Sequence, residues 1–117
     1  MKQTLTDIIV EQAQEKEKYF QNYLTYAEII KKEAEKILGE TKVFLFGSIL
    51  LKNEVPRDID LLIVSPKFQK YQEKRKLISK IWQKIGILSP FELHLVTPNE
   101  YQHWYRYFLK GKRIKKI

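Results

Sequence analysis

Apolar residues recur at three- and four-residue spacing through Phe20, Tyr23, Leu24, Ala27, Ile30, Ala34, Ile37 and Leu38. That spacing predicts an amphipathic helix with one buried stripe. Neither Gly nor Pro interrupts the chain from Lys2 to Leu38, and Gly39 stands where a helix stop belongs. Upstream, Leu5, Ile8 and Ile9 followed by QAQEKEK carry a weaker apolar face. They form either a separate short helix or the overhang of one long helix of about 50 Å. An overhang would leave Leu5, Ile8 and Ile9 as a partner surface. A folded-back arm would place them on the chain's own core.

After Gly39 the pattern shortens to runs of strand length: KVFLF, DIDLLIV and FELHLVT. The loop GSILLKNEVPR separates the first two. Ser65-Pro66 opens a helix with Phe68, Tyr71, Leu77, Ile78, Ile81, Trp82 and Ile85 on its apolar side, and Gly86 ends it. Thr97-Pro98-Asn99-Glu100 reads as a capping box with Pro at the first helical position. It starts a short aromatic helix whose stripe, Tyr101, Trp104, Tyr105 and Phe108, is read as core packing in preference to a base-stacking platform. The order α, β, β, α, β, α predicts an α/β (α+β) fold, a small mixed sheet with helices packed on it. The expected layout is a single domain over 1–109: an N-terminal helical segment (1–38), a sheet core with an inserted helix (43–96) and a C-terminal helix (98–109). A basic tail over 110–117 follows.

Composition changes this picture in few places. A chain of 117 residues with 44% apolar content is long enough to bury a core without staples. There is no cysteine, hence no disulfide framework and no thiolate metal site. No apolar run approaches membrane-spanning length, and the first residues lack the pattern of a signal peptide. A cytoplasmic protein is expected, with no membrane partner. The net charge of +8 is concentrated in KGKRIKKI at the end and in KFQKYQEKRKLISKIWQK. A solvated tail and helix face explain most of it; a nucleic acid or an acidic protein partner is the other reading.

The chemistry lies in the strands. Side chains alternate with a two-residue period, so Asp58 and Asp60 point to one face, about 6–7 Å apart. Like charges this close raise each other's pKa unless a cation lies between them. Arg57, the nearest cation in the chain, points to the opposite face. A divalent cation resolves the conflict, and carboxylate ligation selects Mg²⁺ or Mn²⁺ over zinc. Glu92, between Phe91 and Leu93, is out of place in a core strand; beside Asp58 and Asp60 it would complete a three-carboxylate cluster able to hold two ions about 3.5–4 Å apart. His94 shares the face of Glu92. A satisfied core histidine is the favoured reading, and an orienting partner of the carboxylates is the alternative. Gly47-Ser48 after the first strand is a turn that could receive a phosphate, the glycine permitting close approach and the serine donating.

Together these residues resemble the DNA polymerase β-like nucleotidyltransferase superfamily, whose signature is a Gly-Ser turn, a spacer, D-x-D and a distal acidic residue. Here they are Gly47-Ser48, Asp58-Ile59-Asp60 and Glu92. The short chain looks like the minimal nucleotidyltransferase (MNT) group of archaeal stand-alone type. The resemblance implies a polymerase β-like palm. It implies that Gly47 and Ser48, with Arg57 as a further contact, bind nucleotide phosphates, and that Asp58, Asp60 and Glu92 are the catalytic residues and the metal ligands. It implies a nucleoside triphosphate donor, ATP being expected, and a hydroxyl acceptor. MNT proteins are often paired with a HEPN protein as antitoxin and toxin, so a HEPN-type partner is expected; a homo-oligomer through the N-terminal helix is a further expectation. Three features depart from the family pattern. The spacer LLKNEVP lacks the pairing of a glycine with an acidic residue, Glu54 having no glycine beside it, Arg57 replaces a common serine, and no separate base-binding domain is visible. Two alternatives stay open: a catalytically weak module of this fold that neutralises a partner by contact, and a nucleic-acid-binding protein using the tail.

Overall fold

Strand β2 (Ile59–Val64) explains the architecture, because it is apolar on both faces and must be covered on both. It lies inside a four-stranded sheet of order β3-β2-β1-β4. Strand β1 (Lys42–Phe46) runs antiparallel to it, and β3 (Phe91–Val96) runs parallel to it on the other side. The structure, a computed structural model, describes residues 2–117, apart from the side chain of Trp104.

One face carries Val43, Leu45, Ile59, Leu61, Ile63 and Leu95. Helix α2 (Tyr23–Leu38) lies against it with Ala27, Ile30, Ala34 and Leu38. Helix α3 (Tyr71–Ile85) lies beside α2 with Leu77, Ile81 and Ile85. Each fully buried Leu or Ile contributes about 1.5–3 kcal/mol in transfer terms. A short 3₁₀ turn (Pro66–Gln69), capped by the buried Ser65, precedes α3 and buries Phe68. Tyr71 and Trp82, placed by the periodicity on the apolar side of this helix, are instead exposed, Trp82 at 48%. Trp82 follows Ile81 directly, and one residue rotates it by about 100° out of the stripe.

The opposite face carries Phe46, Leu62, Val64 and Val96. Helix α4, over 98–108, covers part of it; its capping box at Thr97 and Glu100 forms as expected. Its middle turn, Tyr101–Tyr105, is π-helical. Tyr101 stacks on Phe44, and Leu109 beyond the helix end is buried in this layer. Phe108 lies edge-on to Phe46 but is half exposed. The expected position of the Trp104 side chain in the stripe lies outside the described residues.

The first helical stretch is two helices. Helix α1 (Leu5–Gln21) ends at Asn22, whose backbone leaves the helical region, and α2 starts directly after it. The separate helix is therefore the observed alternative, and Leu5, Ile8, Ile9 and Val10 of α1 are exposed, Leu5 at 73%, instead of folding back on the core. Only the last turn of α1 is tied down. Tyr19 is buried, packs on Tyr26, and donates its hydroxyl to the Ile85 carbonyl at the end of α3. Tyr19→Phe leaves that carbonyl unpaired and is expected to cost about 1–3 kcal/mol, read as a lowered Tm with unchanged helix content.

The last residues are not wholly a solvated tail. Gly111 turns the chain at positive φ, and β4 (Ile114–Lys116) pairs antiparallel with β1, Ile114 opposite Phe46. The Ile117 N–H then donates to the Val43 carbonyl at 2.9 Å. The strand is short and lysine-rich, as suits an exposed sheet edge. No helix among the described residues is long and apolar enough to cross a membrane.

Candidate functional site

Alternation along β2 and β3 decides which side chains meet. Ile59, Leu61 and Ile63 turn to the α2–α3 layer, so Asp60 turns to the α4 side with Leu62 and Val64. On β3, Phe91, Leu93 and Leu95 turn to the first layer, leaving Glu92 and His94 on the side of Asp60. The parallel register then sets Asp60 opposite Glu92 and Leu62 opposite His94. Residues far apart in the chain thus converge where α4 leaves the sheet uncovered.

The ligand atoms of Asp60, Glu92 and His94 all lie within 4.8 Å of one another. The His94 Nε2 is 3.1 Å from the Asp60 Oδ1, a hydrogen bond, and 3.9 Å from the Glu92 Oε1. His94 is therefore a site residue and not the satisfied core histidine favoured above. Its ring lies 5.0 Å from Phe46 and 6.1 Å from Tyr105, which fixes its orientation. The signal available in the chain was its spacing of two residues from Glu92. Tyr105, assigned only to the apolar stripe, is a second neighbour the sequence reading missed. Its phenol is pushed above the ordinary range by burial first, then by the charges of Glu100 and Glu92.

Glu92 is less enclosed than its apolar neighbours implied. Strand β3 is an edge of the sheet, and the Glu92 side chain is 56% exposed. Its carboxyl is nonetheless raised above the usual range, by partial burial first, then by the Asp60 charge; His94 opposes and Asp58 adds to the rise. Asp58, directly ahead of β2 and half-buried, is thus close enough to be felt by Glu92, although it lies outside the tight Asp60–Glu92–His94 group. A raised folded-state carboxyl pKa means the folded protein holds the proton more tightly than the unfolded chain. Its contribution therefore lowers stability as pH rises from the unfolded value through the folded one, and the full cost persists above that. Asp7 and Glu100 are shifted downward by their capping bonds and act in the opposite sense. Subtracting the Glu92→Gln melting profile from that of the parent, over about pH 3–7, is expected to isolate the Glu92 term. The variant gains relative stability above the carboxylate range; an identical profile would remove the coupling.

Gly47 closes the corner. It follows β1 with φ +84°, and Phe46 before it pairs with Asp60. A Cβ at Gly47 would run into the Asp60 carboxylate, Oδ2 first. The missing side chain thus makes room for the carboxylate itself, a closer role than the phosphate approach expected for it. Ser48 starts a single 3₁₀ turn (Ser48–Leu50), half-buried. Arg57 is exposed, and no ion pair among the described residues joins it to either aspartate. The donor set is two carboxylates and one imidazole at a partly enclosed corner, which fits a divalent cation.

A family model described as a nucleotidyltransferase domain matches residues 27–114. A solved crystal structure whose protein carries the provisional designation of nucleotidyltransferase is similar over 77% of this chain and 95% of its own, with 27% identity and a TM-score of 0.61. No match is found among the curated proteins.

Proposed function

The chain belongs to the nucleotidyltransferase domain family, and from that premise we propose that it moves AMP from ATP to a hydroxyl on a HEPN-type partner protein, as the minimal antitoxin half of such a pair. The observation that carries the reading is the register pairing of Asp60 with Glu92 beside the bare Cα of Gly47. It supports one corner where a phosphate turn and the carboxylates meet.

In this reading Asp58, Asp60 and Glu92 hold Mg²⁺ or Mn²⁺, which when bound neutralises phosphate charge and acidifies the acceptor hydroxyl. Gly47 and Ser48 border the triphosphate, and Arg57 can swing from solvent to its outer phosphates. Glu92, half exposed on the edge strand beside Asp60, is placed to take the acceptor's proton as the acceptor oxygen bonds to the α-phosphorus. The bond from that phosphorus to the bridging oxygen breaks, and pyrophosphate leaves with the electron pair. Placement of the reacting groups supplies most of the rate. In this reading the acceptor hydroxyl is carried by the partner.

The test uses α-labelled ATP, Mg²⁺ and the product of the adjacent gene. Label is expected on the partner with the parent protein and not with Asp58→Ala or Glu92→Ala. Tight partner binding without label under any triphosphate would replace the enzyme with a contact-only module.

A further inference from the structure

We infer that His94 joins the carboxylates as a nitrogen ligand of the divalent cation, and that a ligand set containing Asp60, Glu92 and His94 favours Mn²⁺ over Mg²⁺. This rests on the corner being a metal site, but not on nucleotide transfer occurring there.

Two observations converge on it. The first is spacing. An octahedral ion with bonds of about 2.1 Å sets adjacent donors about 3 Å apart. The His94 Nε2 and the Asp60 Oδ1 already stand at 3.1 Å, and the Glu92 Oε1 is 3.9 Å from the same nitrogen. Rotation of the half-exposed Glu92 closes the difference. The second is rigidity. Strand alternation aims His94 at the site, and the rings of Phe46 and Tyr105 hold its plane. The same Nε2 faces both carboxylates, so an ion seated between the carboxylates meets it.

Ligation requires the imidazole proton to sit on Nδ1, leaving the Nε2 lone pair for the ion. The hydrogen bond to Asp60 is then replaced by a shared cation. Mg²⁺ prefers oxygen donors and keeps its waters, whereas an imidazole moves the preference toward Mn²⁺ and later first-row ions.

The experiment reads Mn²⁺ on the full chain by electron paramagnetic resonance, with Mg²⁺ as competitor. Pulsed measurement reports whether ¹⁴N is bonded to the ion. The parent is expected to show ¹⁴N coupling, and His94→Gln to lose it. The Mn²⁺-to-Mg²⁺ preference of the variant is expected to fall about 10-fold or more. Circular dichroism confirms that the variant is folded, and His94→Ala provides a second variant if it is not. Mn²⁺ bound without ¹⁴N coupling, or an unchanged preference in both variants, would overturn the inference and leave His94 as a hydrogen-bond donor to Asp60. Absence of Mn²⁺ binding by the parent would overturn the metal site as a whole. Binding with ¹⁴N coupling but no nucleotide transfer would sustain the inference and count against the proposed reaction alone.

Discussion

Asp60→Ala is expected to lower nucleotidyl transfer about a thousandfold while leaving the fold intact. Asp60 is the hub of the corner: it bonds His94, faces Glu92 across the strands, and fills the space that Gly47 leaves. Removing it deletes a ligand of the proposed metal site and takes away the hydrogen-bond partner of the His94 ring nitrogen at once. The cost in stability is small, because the substitution also removes a charge that repels Glu92. Three measurements check this together. Label transfer should collapse, the melting temperature should hold or rise slightly, and the Glu92 carboxyl should titrate nearer its ordinary value. A variant that keeps a tenth of the parent's activity would show that Asp60 is not central.

Gly47→Ala is expected to damage both stability and activity, and comparison with Gly39→Ala separates the causes. Both glycines combine positive φ, +84° and +77°, with strongly negative ψ, a region nearly confined to glycine, so alanine at either costs about 1–3 kcal/mol in backbone strain. Gly39 has nothing within 4 Å of a would-be Cβ, whereas Gly47 meets the Asp60 carboxylate. The difference in stability between the two variants therefore measures the collision. Adding Asp60→Ala to Gly47→Ala should recover that part, giving a coupling of about 0.5–3 kcal/mol in denaturant melts. Strict additivity would mean that the turn moves away from Asp60 freely. Activity should be lost in Gly47→Ala even where the protein is folded, because the carboxylate is displaced.

Much of this was legible because the face of a strand residue follows from parity. Asp60 and Glu92 stand out as acids in apolar runs, and parallel pairing brings them opposite each other. The stripe of α2 could be read for a similar reason, since its buried residues recur at helical spacing without interruption. His94 could not be assigned by type alone, because a histidine in an apolar strand reads the same whether it faces a core or a site. Its parity with Glu92 was the deciding feature, and it outweighs the residue's general tendency. Strand β4 was hidden because three residues with two lysines carry no periodic signal; its partner strand supplies the order. The exposure of Glu92 depends on β3 being an edge, which is a fact of strand order and not of β3's own residues. Trp82 shows the reverse limit, an apolar residue adjacent to the stripe and outside it.

The parallel pairing of β2 with β3 also orders events in time. Strands β1 and β2 form an antiparallel pair across one loop, a comparatively local closure. Asp60 and Glu92, 32 positions apart, meet only after α3 has formed and crossed back over the sheet. A nascent chain that has only reached α3 contains Asp58 and Asp60 but neither Glu92 nor His94. Helical signal in a refolding experiment is expected to return no later than occupancy of the proposed cation site, because that site exists only once β3 has docked beside β2.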